Sequence, residues 1–215
     1  MRARASLALL GLLASCGGQV EVRTSEYADG TPWSRIELVD GRGEGEWSTW
    51  YPDGQLASRE HYVAGVLSGP AEAWFADGTP KFQGAYAVGL PHGPWTRWYA
   101  GGTKLSEGAF RAGAPHGEWV WYHRNGRPYM RANYAAGQDA GPFARWFEDG
   151  QLEREGEQHG ERRAGTWRSF WPDGSPRSVA HYERGQLSGE CAWWDEEGQL
   201  DERRSGLYRN GRRQR

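Results

Sequence analysis

Five aspartates recur at one spacing, Asp29, Asp53, Asp77, Asp149 and Asp173, and each precedes a glycine. Carboxylates run acid–base chemistry when one pocket sets their pKa values apart. A carboxylate copied five times before a glycine has a plainer use: at a turn the Asp side chain bonds its own backbone. The six histidines (His61, His92, His116, His123, His159 and His181) form neither a helical His-Glu-x-x-His nor a cysteine-rich zinc spacing. The Asp-Gly turns lack the nonapeptide of calcium-binding β-rolls. There is no Gly-x-Ser-x-Gly elbow and no phosphate-cradling loop. These absences predict a protein that is not an enzyme, with no catalytic residues, no metal ligands and no cofactor.

What positions the aspartates is a strict period. Glycines stand at 30, 54, 78, 102, 126, 150, 174 and 198, and a second series at 45, 69, 93, 117, 141, 165 and 189. A fixed period of 24 residues marks a repeat array. In one copy, Gly45-Glu46-Trp47-Ser48-Thr49-Trp50-Tyr51 is an aromatic run bounded by turn signals and reads as a strand. Pro52-Asp53-Gly54 then suits a type I turn followed by a left-handed glycine. Gln55 to Tyr62 reads as the return strand, and Val63 to Ser68 as the connection to the next copy. No stretch holds helical periodicity. The expected fold is all-β: an elongated single-layer antiparallel meander of stacked β-hairpins, about eight units over residues 23–215, the first and last degraded.

Aromatic positions recur with the period. One row is Trp50, Trp74, Trp98, Tyr122, Trp146, Phe170 and Trp194, and the return strands close on Tyr62, Tyr86, Phe110, Tyr134 and Tyr182. Gln158 is the outlier at the closing position, and two residues before that position most copies are small, Gly84, Gly108, Ala132, Gly156 and Ala180, where a missing side chain lets a neighbouring ring lie on the backbone. A three-residue hairpin loop pairs Trp50 with Leu56 and predicts that the Trp50 row is the buried one; a one-residue slip inverts the assignment. The other face then carries Trp47, Trp95, Trp119, Phe143 and Trp167, with Tyr51, Phe75, Tyr99, Phe147 and Trp171 beside them. Aromatic anchors on a rigid surface concentrate interface energy, so these ten are the candidate binding surface. Arg59, Gln83, Glu107 and Arg131 are expected as their polar neighbours.

Composition narrows the class. Thirteen Trp and ten Tyr supply apolar area that aliphatic residues do not, on the order of 150–250 Å2 per ring. The net charge of −2 is no electrostatic footprint for nucleic acid. Arg2 and Arg4 precede an apolar run, Ala5 to Leu13, too short to span a bilayer as a helix, and small residues then lead to Cys16, the layout of an export signal. Leu13-Ala14-Ser15-Cys16 resembles the bacterial lipoprotein signal, which implies a signal peptide over 1–15, an acylated Cys16 and a tether over 16–22. Cys191 is then the one remaining cysteine and reads as a packed thiol. The basic tail (Arg203, Arg204, Arg209, Arg212, Arg213 and Arg215) reads as a solvated end cap.

Tyr86-Ala87-Val88-Gly89-Leu90-Pro91-His92-Gly93-Pro94-Trp95 and Phe110-Arg111-Ala112-Gly113-Ala114-Pro115-His116-Gly117-Glu118-Trp119 resemble the MORN repeat in its bacterial variant. The resemblance spans about residues 27–208 and implies a hairpin array serving as scaffold, dimerisation surface or lipid contact. Bacterial variant arrays also imply an antitoxin or immunity role. With the lipoprotein signal, the expected protein is a non-catalytic repeat scaffold of the cell envelope, lipid-anchored through Cys16 and facing periplasm or exterior. It presents its aromatic surface to a protein partner; immunity or antitoxin function, and lipid or glycan binding, are the alternatives.

Overall fold

The computed structural model describes residues 18–214; the segment read as a signal peptide and Cys16 lie outside them. All regular structure among them is β, in nineteen strands with antiparallel pairing. The chain divides into two compact units. One holds the chain up to Thr103 with Phe110–Gly113, the other Lys104–Ala109 with the chain from Ala114 on.

In the first unit the strands Val20–Glu26, Pro32–Val39, Arg42–Trp50, Leu56–Val63, Val66–Trp74 and Pro80–Ala87 pair in chain order. The second repeats the pattern from Ala114–Tyr122 to Pro176–Glu183. Substantial contacts between strands run only between ladder neighbours, so each unit is a single layer. The first strand starts at Val20, inside the segment read as tether.

Two kinds of turn alternate. At the wide one, Tyr51 N–H donates to the Gln55 carbonyl at 2.8 Å and Gly54 N–H to the Tyr51 carbonyl at 2.9 Å, with Gly54 at φ 84°. Asp53 Oδ1 accepts the Gln55 N–H at 3.0 Å, and Asp29, Asp77, Asp149 and Asp173 each accept the N–H two residues on. The recurring aspartates are turn residues. The second turn is where the sequence reading stopped short. Val63 to Ser68 is no separate connection: Val63 pairs with Val66 across Ala64-Gly65. Ala64 at φ 50° and Gly65 at φ 83° form the two-residue turn with both φ positive that matches strand twist.

Which rings are buried corrects the sequence reading. Trp50 does pair with Leu56, as expected. A bulge follows at once, however, and Thr49 pairs with Ser58. The extra residue, Ala57, reverses the phase of the return strand. Leu56 therefore keeps company with Trp50, while positions 58, 60 and 62 join Trp47. Gap, closing ring and the Trp47 row share one face, called here the seat face, and the buried tryptophans belong to it: Trp95, Trp119 and Trp167 are 4–5% exposed. Trp50 and its counterparts are half-buried on the opposite face, and Arg59, Gln83, Glu107 and Arg131 lie beside them. Ala71 is fully covered, but no large side chain among the described residues falls below 2% exposure, which is what a single sheet with no second layer above it allows.

Candidate binding surface

Each buried tryptophan sits in a seat made by the return strand before it. A Cβ on Gly84 would lie 2.1 Å from the Trp95 ring; on Gly108, 2.2 Å from Trp119; on Gly156, 2.3 Å from Trp167. Real Cβ atoms never approach so closely, so only glycine admits the indole there. After the first copy, where Ile36 holds the seat position and Trp47 stays half-buried, a larger seat residue goes with a smaller incoming side chain: Ala132 meets Phe143 and Glu60 meets Ala71 as direct cross-strand partners, and Cys191 stands one period after Trp167, with Ala180 at its seat position. Glycine takes Trp, alanine takes Phe or Cys, and glutamate takes Ala.

Polar atoms of the indoles follow the same direction. Trp119 Nε1–H donates to the Ala109 carbonyl at 3.0 Å and Trp167 Nε1–H to the Glu157 carbonyl at 2.9 Å. Trp95 instead stacks on Phe82 at 5.5 Å and meets the edges of Tyr86 and Phe110 at 5.3 and 5.6 Å. Tyr51, read as a flanking aromatic, and its period counterparts Tyr27 and His123 tie one repeat to the next. Tyr27 and Tyr51 hydroxyls donate to the Trp50 and Trp74 carbonyls, both at 2.8 Å, and His123 Nε2 lies 3.0 Å from the Trp146 carbonyl.

The ten residues read as a binding surface therefore divide. Trp95, Trp119 and Trp167 are buried packing residues that offer a partner almost no area. Trp47, Phe143, Tyr51, Phe75, Tyr99, Phe147 and Trp171 are half-buried and retain accessible edges. Tyr51 is also held by its hydrogen bond.

Charge is distributed differently on the two faces. On the opposite face, arginines cover the aromatic row and are paired: Arg59 lies 5.9 Å from the Trp74 ring and 3.5 Å from Glu46, and Arg131 lies 5.7 Å from Trp146 and 3.5 Å from Glu118. On the seat face of the second unit, Arg163 stacks on Trp167 at 4.5 Å, Arg177 on Trp171 at 4.5 Å, Arg204 on Trp193 at 5.0 Å and Arg154 on Phe143 at 5.4 Å. These guanidiniums line a groove of about 440 Å3. Sequence reasoning passed over them because they occupy different offsets in the period; their signal was arginine density beside Trp, without glutamate at the facing position.

Phenols near carboxylates are shifted. Burial, then Glu60, pushes Tyr62 up to about 12. Burial, then its hydrogen bond to Glu107, pushes Tyr122 up to about 12. Glu107 is lowered by Lys104 first and Tyr122 second. Among the described residues no group of three or more His, Cys, Asp or Glu is gathered as a metal site, and no helix is long and apolar enough to cross a membrane.

No curated protein matches this chain. A family model, the MORN repeat variant, matches residues 43–64, 115–136 and 163–184. Each matched stretch begins four residues before the ring position and ends on the first left-handed residue of the two-residue turn, Ala64, Ala136 and Arg184. All three fall in one phase of the 24-residue period, so it is in this hairpin, seat and turn together, that the chain is similar to MORN-variant repeats.

Proposed function

We propose that this protein is a non-catalytic repeat scaffold whose β-surface engages a protein partner, held at the cell envelope by an acyl chain on Cys16. Repeats of the MORN kind take part in protein and membrane interactions, and the matched hairpins are of that kind. The observation that carries the reading is a division of labour among the aromatic positions. The three buried indoles lock their hairpins onto the return strand before them, leaving half-exposed rings at a fixed sequence period. A pre-ordered surface loses little entropy when a partner docks.

Affinity capture from membrane extracts tests the reading, with wild type compared to Phe75→Ala/Phe147→Ala, two accessible rings without polar bonds to lose. A partner retained by wild type and lost in the variant is expected; identical capture by both refutes the aromatic surface. Metabolic labelling with a palmitate analogue tests the anchor, and a labelled Cys16→Ala chain would exclude it.

A further inference from the structure

The groove on the seat face of the second unit has features that the repeat alone does not require. Its guanidiniums come from neighbouring places in the ladder: Arg154 from Leu152–His159, Arg163 from Arg162–Phe170, Arg177 from Pro176–Glu183, and Arg204 from the segment after Gly189–Trp193. Neighbouring strands are about 4.8 Å apart, so the four positions span about 14 Å across the ladder. Each guanidinium lies on an aromatic ring. Stacking holds its plane and turns its N–H edge outward for a carboxylate fork; Arg163 alone spends one N–H within the chain, on the Tyr182 hydroxyl at 3.1 Å.

Counter-charges do not answer the row. Glu153, the acid in the groove lining, lies 2.6 Å from Arg145. Among the described residues, Arg154, Arg177 and Arg204 have no acidic side chain within ion-pair distance, although Arg59, Arg131 and Arg168 on the opposite face each have one at 3.5 Å. Arg154 is the extreme case. Its Nε is buried without a hydrogen-bond partner, and burial, with Arg145 and Arg163 nearby, lowers its pKa from the usual arginine value. Unlike-charged neighbours are what such a cluster lacks, in a chain whose net charge is −2.

We infer that this groove binds a short acidic polypeptide segment in extended conformation, its carboxylates forking onto the stacked arginines and its backbone lying across Trp171 and Trp193. Geometry selects the length. Extended peptide rises about 3.3 Å per residue with alternate side chains on one face, so 14 Å presents two or three carboxylates to the row. A longer polyanion is disfavoured, because Asp139 and Glu161 line the continuation of the groove past Arg154 and Arg163 and repel it. The inference rests on the scaffold reading and specifies the chemistry of its partner.

Fluorescence anisotropy of labelled hexaglutamate with the full chain tests it. Arg177 and Arg204 are exposed, so Arg177→Gln/Arg204→Gln keeps the fold, which circular dichroism checks. Saturable binding is expected, weakened about tenfold or more in that variant, since each charged hydrogen bond contributes on the order of 1.5–3 kcal/mol and 1.4 kcal/mol is tenfold. Arg59→Gln/Arg131→Gln on the opposite face leaves binding unchanged. Absence of saturable binding, equal affinity in the groove variant, or tighter binding of a dodecameric oligothymidylate than of hexaglutamate overturns the inference. Should hexaglutamate fail while a membrane partner is still captured, the acidic segment falls and the scaffold stands; loss of all capture removes the scaffold itself.

Discussion

At the scale of single residues, the seat rule makes a prediction by substitution. Trp95→Ala removes an indole buried to 4% exposure and should cost about 3–5 kcal/mol. Gly84→Ala inserts a methyl into the same ring and should cost about 1–3 kcal/mol by overpacking. The chain already contains the solution to that clash, Ala132 against Phe143. Gly84→Ala combined with Trp95→Phe should therefore recover most of the stability lost by Gly84→Ala, in a double-mutant cycle read by urea unfolding. Phenol ionisation gives a second test. Tyr62 and Tyr122 have folded pKa values raised from 10 to about 12, so their contribution is fully present below pH 10 and is lost as pH rises toward 12. Urea midpoints of wild type should fall over that window, and those of Tyr62→Phe/Tyr122→Phe should fall less.

At the scale of the hairpin, the two-residue turns carry strain in one copy. Val88 sits at φ 51° and is 80% exposed. A β-branched side chain is disfavoured in that left-handed region, where Asn is tolerated. Val88→Asn should stabilise the chain by about 1 kcal/mol, raising Tm; an unchanged or lower Tm would show that the turn is relaxed as it stands. The sequence made much of this element readable. Period, wide turn and the Trp50–Leu56 pair followed from Gly, Pro and Asp, whose backbone preferences are local. The buried face did not follow, because one bulge residue, Ala57, reverses the strand, and an alanine gives no sign of that in a linear pattern. Nor did the arginine groove: it arises from residues at unrelated offsets on different strands, which only the ladder brings into a row.

For the whole molecule, repeats stacked in register tolerate loss of a copy only if the new neighbours fit. Deleting residues 114–137 places Gly108 before Phe143, a seat slightly too large. Deleting 138–161 places Ala132 before Trp167, where the neighbouring copies show that the indole needs glycine. Both chains keep the period, and nearest-neighbour terms dominate such arrays. The first deletion should give a cooperatively folded protein, and the second should melt at a lower temperature despite equal length; calorimetry of the pair decides, and reversal of that order would refute the seat rule.

The indole bonds point one way along the chain. Trp119 reaches back to the Ala109 carbonyl and Trp167 to that of Glu157, so the strand that receives each ring has already been synthesised when the ring emerges. A polypeptide leaving a ribosome or an export channel amino end first thus finds every berth finished before its occupant arrives, and assembly can proceed hairpin by hairpin without waiting for the carboxyl end.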